Sequence, residues 1–198
     1  MTDTTPITSI PLHDFTGHVS RQSHAMAGAT IAASAAQAVS LGRACMAISL
    51  AEGGASRTTK DISEQITGMD RIVSSLLDWC DRDATTIAAF VALRESGQEL
   101  EGQMLLCQAP AEISRLSLEA ANTLQVFRTQ VSEKVQDDLE MALTLLAGTA
   151  RAAMLLLDSN LRIWPDPDLL AKFEPVRVGL EQEINKLSPA ARIRSQSA

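Results

Sequence analysis

Residues 26–51 read MAGATIAASAAQAVSLGRACMAISLA, and more than half of them are alanine, glycine or serine. Alanine is the strongest helix former, so this stretch predicts a helix that ends at Glu52-Gly53-Gly54. Because its side chains are small on every side, such a helix can approach other backbones closely. We therefore expect it at the centre of a helical bundle or at a contact between subunits.

The rest of the composition agrees with a helical fold. Aromatic residues make up 3% of the 198 residues and tyrosine is absent, whereas sheets depend on aromatic and β-branched side chains. The length suits one domain. The sequence thus predicts an all-α protein, an antiparallel bundle of five or six helices over residues 10–187, with a loose leader at 1–9 and a disordered tail at 188–198.

Helical spacing and turn residues place the other helices along the chain. The first helix is expected to begin near Pro11, and the third to run from Thr58 to Glu95. The fourth should begin between Ser96 and Leu100, the fifth should run from Ser132 to Ile163, and the sixth from Asp166 to Leu187. A proline cannot donate the hydrogen bond that a helix needs, so Pro110 is expected to bend or break the fourth helix.

Charge and cysteine content exclude several functions. The net charge is −7 and the 17 Lys and Arg are scattered, so nucleic acid is not an expected partner. Three distant cysteines match neither a disulfide framework nor a zinc site and favour the reducing cytoplasm. The three histidines do not share a helical face, so no metal is expected. Polar residues interrupt the apolar run at 141–157, which indicates a buried core helix and not a membrane span.

One carboxylate interrupts an apolar line on the third predicted helix. Positions 76, 80, 83, 87 and 90 lie three or four residues apart and share a face, and the third of them is Asp83. A carboxylate there costs several kcal/mol unless it is paired, hydrogen-bonded or protonated. Two interpretations are open: a structural aspartate, satisfied locally or rotated to the rim beside Arg82, or a general acid or base in a ligand cleft.

The fifth predicted helix carries two more polar residues on an apolar line. Asp138 and Asn160 share a face with positions 142, 145, 149, 152, 156 and 163. They are roughly 33 Å apart at the helical rise, so they cannot share one site within a subunit. Asp138 also suits the amino end of a helix and Asn160 could cap its carboxyl end, which leaves structural and functional roles open for both.

Taken in order, several segments resemble the formimidoyltetrahydrofolate cyclodeaminase and methenyltetrahydrofolate cyclohydrolase family. They are residues 23–33 (SHAMAGATIAA), Asp83-Ala84 within a long helix, Pro110, and Asp138 with Asn160 on a late helix. The resemblance spans roughly residues 10–185, and the order and spacing of the set carry it. It implies a cyclodeaminase-like bundle, a homodimer or larger assembly, and a folate cleft at or near a subunit contact.

The same resemblance implies a function and a site. The expected reaction is hydrolysis of 5,10-methenyltetrahydrofolate or deamination of 5-formimidoyltetrahydrofolate, with a tetrahydrofolate derivative as substrate and no metal. Asp83 is then the base or cation stabiliser and Asp138 its partner, from another subunit if they meet. The residues implied for folate binding are Ser23, Ala27, Gly28, Ala29, Thr30 and Asn160.

The chain departs from the family pattern in ways that support a second hypothesis. One glycine remains where the family has three, the family's lysine position falls on Gly53, and one late asparagine is Leu156. Methyl groups then fill backbone that a ligand would approach. The alternative is a family member without catalysis that serves as a folate-binding or oligomeric interaction protein.

Overall fold

The computed structural model describes residues 6–53, 59–98 and 100–194 of the chain. Within them it contains six α-helices and no strand, which confirms the all-α antiparallel bundle. The helices are α1 (Leu12–Arg21), α2 (Ala27–Ala51), α3 (Thr59–Glu95), α4 (Gln103–Phe127), α5 (Gln136–Ile163) and α6 (Pro167–Ile184).

Helix α2 lies at the centre of the bundle. It packs against α3, α4 and α5, and its alanines at 29, 32 and 35 have no exposed surface. Small side chains let three neighbouring helices approach α2 closely. The bundle centre is the first of the two positions that the sequence predicts for this helix. This places the amino end of α2 next to the middle of α3 and the carboxyl-terminal half of α5, where the candidate site lies.

Helix α4 differs from expectation at two points. It begins at Gln103, later than the predicted 96–100, because Gly102, which precedes the helix, takes a left-handed φ of 98° that a right-handed helix cannot include. It also continues through Pro110 without a break, so the predicted break is wrong. The hydrogen bond that the proline cannot make is replaced by a side chain of α5, described below.

Helix α5 begins at Gln136, four residues after the predicted start. A short 3₁₀ turn, Arg128–Gln130, occupies the preceding connection. Ser132 does not cap α5, because its backbone N–H donates to Ser49 Oγ at 2.9 Å and its hydroxyl bonds Glu52. Ser132, the expected first residue of the helix, instead bonds this connection to the end of α2.

The two ends of the chain are more ordered than the sequence suggests. In the predicted leader, Ile7 is buried and Thr8 donates to Asp81 of α3 from its N–H (3.0 Å) and its hydroxyl (2.7 Å). In the predicted tail, the Ser188 N–H donates to Gln125 Oε1 at 2.8 Å. Residues 6–9 and 188–190 therefore pack on the bundle, while residues 1–5 and 195–198 lie outside the described part of the chain.

The buried face of α5 is not the apolar line that the sequence suggests. On that line Asp138 is exposed, and Leu145 and Ile163 are 53% and 56% exposed. The buried face is adjacent to it and consists of Leu139, Ala142, Leu143, Leu146, Ala150, Ala153, Met154, Leu157, Asn160 and Leu161. Asn160 is thus on the inner face, whereas Asp138 carries no burial penalty that a function would have to offset.

Helices α2 and α5 are each long and apolar enough to cross a membrane by length and composition, with mean hydropathies of 1.3 and 1.4. Core helices of water-soluble bundles have the same properties. Both pack into the bundle, which buries 44% and 39% of the respective segments.

Candidate functional site

The candidate site is built around the amino end of α2, where backbone N–H groups lack helical partners. Met26 precedes the helix without making a side-chain cap. Asp83 of α3 takes the place of the cap, because its Oδ2 accepts a hydrogen bond of 2.8 Å from the N–H of Ala29. The negative charge also lies at the positive end of the α2 dipole, which favours the ionised carboxylate.

Gly28 allows Asp83 to approach α2 this closely. A Cβ at position 28 would lie 2.2 Å from Oδ1 and 2.4 Å from Cγ of Asp83, inside any possible contact distance. Gly28 does not have a positive φ, so other residues could adopt its backbone conformation, and the glycine is required by space. This explains why position 28 is a glycine.

Asp83 is 5% exposed, so its side chain lies inside the bundle and not at the rim. Arg82 lies elsewhere: it pairs with Asp78 at 3.5 Å and covers the Trp79 ring at 4.0 Å. Burial raises the pKa of Asp83 to about 6, while the hydrogen bond from Ala29 acts in the opposite direction. A carboxyl group with such a pKa can both accept and release a proton near neutral pH.

Asn160 of α5 supports the same region through α4. Its Nδ2 donates a hydrogen bond of 2.7 Å to the carbonyl oxygen of Leu106. In an unbroken helix that carbonyl would accept from the residue four positions later, which is Pro110 and has no N–H. Asn160 therefore satisfies the acceptor that the proline leaves free, and α4 continues as a helix.

Replacing Asn160 with leucine should leave the Leu106 carbonyl buried without a donor, at a cost of about 1–3 kcal/mol in the free energy of unfolding. The Pro110→Ala change restores a backbone N–H for the same carbonyl. We expect the double variant Pro110→Ala/Asn160→Leu to recover most of the loss, which urea unfolding of the four proteins measures. Equal losses in the single and double Asn160 variants would contradict this account of the proline.

Asp83 and Asn160 line one cavity of about 50 Å³. Its other lining residues are Ala25, Ala27, Gly28, Ile87, Leu106, Leu156 and Trp164. The Trp164 ring is fixed by Phe90, with centroids 5.2 Å apart and planes at 61°. Sites that enclose a whole organic ligand are roughly 300–1,000 Å³, so this cavity holds a small group or a few waters between two polar side chains.

The structure brings together some of the predicted site residues and separates others. Ala27, Gly28, Asp83 and Asn160 line the cavity, and Ala29 contributes its N–H to Asp83. Ser23 and Thr30 are exposed and outside the cavity lining. Asp138 lies in the first turn of α5, roughly 33 Å from Asn160 along the helix, so it does not meet Asp83 in the same subunit.

Sequence reasoning missed five of the lining residues as members of the site, and one of them, Leu156, stands out in the sequence only as a departure from the family pattern. Ile87 and Trp164 follow Asp83 and Asn160 by one helical turn each, which was a readable signal. Leu106 is four residues before Pro110 and is therefore marked by the missing N–H. Ala25 has no comparable signal. In the described part of the chain, no group of three His, Cys, Asp or Glu side chains could hold a metal ion.

The fold and site define an all-helical protein with a buried, proton-binding carboxyl group at a small cavity. A model of the formiminotransferase-cyclodeaminase family matches residues 11–176, which is most of the chain and includes every residue of the cavity. The protein belongs to this family. No curated protein matches the chain significantly.

Proposed function

We propose that the protein acts on a one-carbon adduct of tetrahydrofolate. The favoured reaction is hydrolysis of 5,10-methenyltetrahydrofolate, and the second is deamination of 5-formimidoyltetrahydrofolate. Family membership supports a folate-related substrate. The observation that carries the catalytic part is the convergence of Asp83 and Asn160, from different helices, on one cavity.

The methenyl bridge carbon is part of an electron-poor amidinium, so it requires a positioned water and a proton acceptor more than a covalent nucleophile. The water adds to this carbon and gives up one proton. The hydroxyl of the adduct then loses its proton as one of the two C–N bonds breaks, and the released nitrogen takes up a proton, which leaves a formyl group and one net proton released. Asp83 accepts the proton, since its pKa of about 6 leaves it ionised at neutral pH. When ionised, it also stabilises the cationic substrate.

The folate lies over the amino end of α2 in this proposal, with only its one-carbon end in the cavity. The backbone at Ala27, Gly28 and Ala29 forms the inner wall, and Ser23 and Thr30 are exposed where the remainder of the ligand would pass. The cavity of about 50 Å³ has room for the bridge carbon and a water but not for the ring system. The chemistry proposed here uses no metal.

Incubation of the purified protein with 5,10-methenyltetrahydrofolate tests the proposal. We expect its near-ultraviolet absorbance to decay faster than in buffer, and faster than with the Asp83→Asn variant at equal concentration. A rate equal to the buffer rate for both proteins, together with no ammonia release from 5-formimidoyltetrahydrofolate, would refute the enzyme.

A binding protein without catalysis is the second candidate. The specific observation in its favour is Leu156, which gives the cavity an apolar wall at one of the family's asparagine positions. This candidate predicts saturable folate binding without turnover of the substrate. Quenching of Trp164 fluorescence measures the binding. Trp79, the other tryptophan, is 8% exposed, so the measurement is made in a Trp79→Phe background in which Trp164 alone emits.

The proposal includes a cellular setting and an assembly. We place the protein in the cytoplasm as a homo-oligomer with a dimer as its unit, because the exposed apolar residues of α5 require a cover. Its net charge of −7 argues against nucleic acid as a partner. The packing of α2 and α5 within the bundle supports a protein that does not insert into a membrane.

A further inference from the structure

Helix α5 carries a second periodic pattern on its outer face. Starting from Asp138, every third or fourth residue belongs to one line, which we call the α5 seam: Asp138, Met141, Leu145, Gly148, Ala152, Leu155, Ser159 and Arg162. The alternation of three and four is the heptad spacing with which one helix packs along another. The seam is distinct from the buried face described above.

Six of the eight seam residues are exposed, and the other two, Ala152 and Ser159, are half-buried. Met141, Leu145 and Leu155 are 50%, 53% and 57% exposed, although each is a large apolar side chain. A Cβ at Gly148 would have no atom within 4 Å. Gly148 and Ala152 form the middle of the seam, and their small size allows a second helix to approach the backbone closely. A helix face of this kind is unusual at a surface exposed to water.

The charges at the two ends of the seam are opposite. Asp138 lies in the first turn and Arg162 in the last turn of α5. Both are exposed, and neither forms an ion pair within the part of the chain that the structure describes. By contrast, Arg177 of α6 pairs with Asp158, which is beside the seam. The seam thus ends in two charged groups without partners.

We infer that the seam binds the same seam of a second copy of this chain, with the two α5 helices antiparallel about a twofold axis beside Ala150. This arrangement aligns Leu145 with the partner's Leu155 and Gly148 with the partner's Ala152. It also brings Asp138 opposite the partner's Arg162 at both ends. A parallel pair would instead oppose like charges at both ends, so charge complementarity selects the antiparallel arrangement.

The pairing rests on the oligomer proposed above but not on its folate chemistry. It has one consequence for the site, because the amino end of one α5 lies beside the carboxyl end of the other. The carboxyl end carries Asn160 and Trp164. The partner's Asp138 therefore reaches the end of the bundle that contains the cavity, although within one subunit Asp138 and the cavity are far apart.

Charge reversal tests the register. Asp138→Arg and Arg162→Asp should each raise the dissociation constant of the dimer about tenfold or more, because each opposes like charges at both ends. The double variant Asp138→Arg/Arg162→Asp restores opposite charges and should restore dimerisation. Asp168→Arg, an exposed reversal at the start of α6, is the control and should leave the dissociation constant unchanged. Light scattering over a dilution series measures all of these, and circular dichroism verifies folding.

Cysteine cross-linking gives a second, independent measurement. The double variant Leu145→Cys/Leu155→Cys should form disulfide-linked dimers under mild oxidation. Leu145→Cys alone should not, because the two copies of residue 145 are roughly 15 Å apart along antiparallel helices. The three native cysteines are buried and do not compete. Three results would overturn the inference. They are cross-linking by the single variant, failure of the double reversal to restore a dimer, and a monomeric parent protein, whether or not that monomer binds phosphatidylcholine vesicles.

Discussion

At about pH 8, the Asp83→Asn variant should unfold with a free energy at least as high as that of the parent protein, while its turnover number falls by about a hundredfold or more. The stability part follows from the pKa of Asp83, which burial raises from 3.8 to about 6. The folded protein binds this proton more tightly than the unfolded chain does. Protonation of Asp83 therefore contributes its full amount to the free energy of unfolding below about pH 4. It is then lost as the pH rises through the window from 3.8 to about 6.

The size of this loss is on the order of 3 kcal/mol, from a difference of about two pKa units. Asparagine carries no charge and avoids the loss. It keeps an oxygen that accepts from the Ala29 N–H but gives up the charge-assisted part of that hydrogen bond, about 1 kcal/mol. The variant should therefore be more stable by roughly 2 kcal/mol at about pH 8, and this advantage should vanish at about pH 4.

Urea unfolding across this pH range measures the stability part, and the methenyl absorbance assay measures turnover. Asp81→Asn is a matched control, because Asp81 is two residues away and its carboxylate accepts from Thr8 outside the cavity. It should lose about 1 kcal/mol and keep its activity. A large loss of stability in Asp83→Asn with activity intact would assign Asp83 a purely structural role.

Gly28→Ala should disable the site by a different route. The added methyl group would lie 2.2–2.5 Å from the carboxyl atoms of Asp83, so the side chain must leave its position against α2. The Ala29 N–H then loses its acceptor. We expect a destabilisation of about 1–3 kcal/mol and an activity loss comparable to that of Asp83→Asn. The better helix propensity of alanine offsets at most about 1 kcal/mol of this destabilisation.

Two other glycines separate the causes. Gly42→Ala also overcrowds α2, since its Cβ would lie 2.4 Å from Leu124 Cδ1, but it does not contact the cavity. It should lose stability and retain activity. Gly68→Ala on α3 meets only Arg71 at 3.9 Å and should be neutral or slightly stabilising. If Gly28→Ala behaves like Gly68→Ala in both measurements, the close approach of Asp83 to α2 has no functional importance.

The sequence predicted those features that depend on local periodicity. The small side chains of α2 predict a position at the bundle centre or at a subunit contact, and the structure has it at the bundle centre. The apolar line on α3 left Asp83 either buried or rotated to the rim, and its 5% exposure excludes the rim. Periodicity failed on α5, because this helix is apolar on more than one face. Spacing alone cannot decide which face packs inward when both satisfy it. For this reason Asp138 was placed on a buried line and is exposed.

Partnerships between distant residues could not be predicted from one sequence. The acceptor for the Ala29 N–H is 54 residues away, and so is the side chain that satisfies Leu106. Without the second of these, the rule that a proline interrupts a helix gives the wrong result for α4. The site is thus an outcome of packing, whereas the helices that carry it are largely an outcome of composition.

The bond from Asn160 to the Leu106 carbonyl also constrains the order in which this helix pair could have evolved. If asparagine appeared first, it would have faced a carbonyl already engaged by a backbone N–H, and the change would have been tolerated. A proline arriving first at position 110 would have left a buried acceptor empty until its partner arose. The history in which asparagine came first is the accessible one, and once both residues were present Asn160 could not revert to an apolar side chain while Pro110 remained.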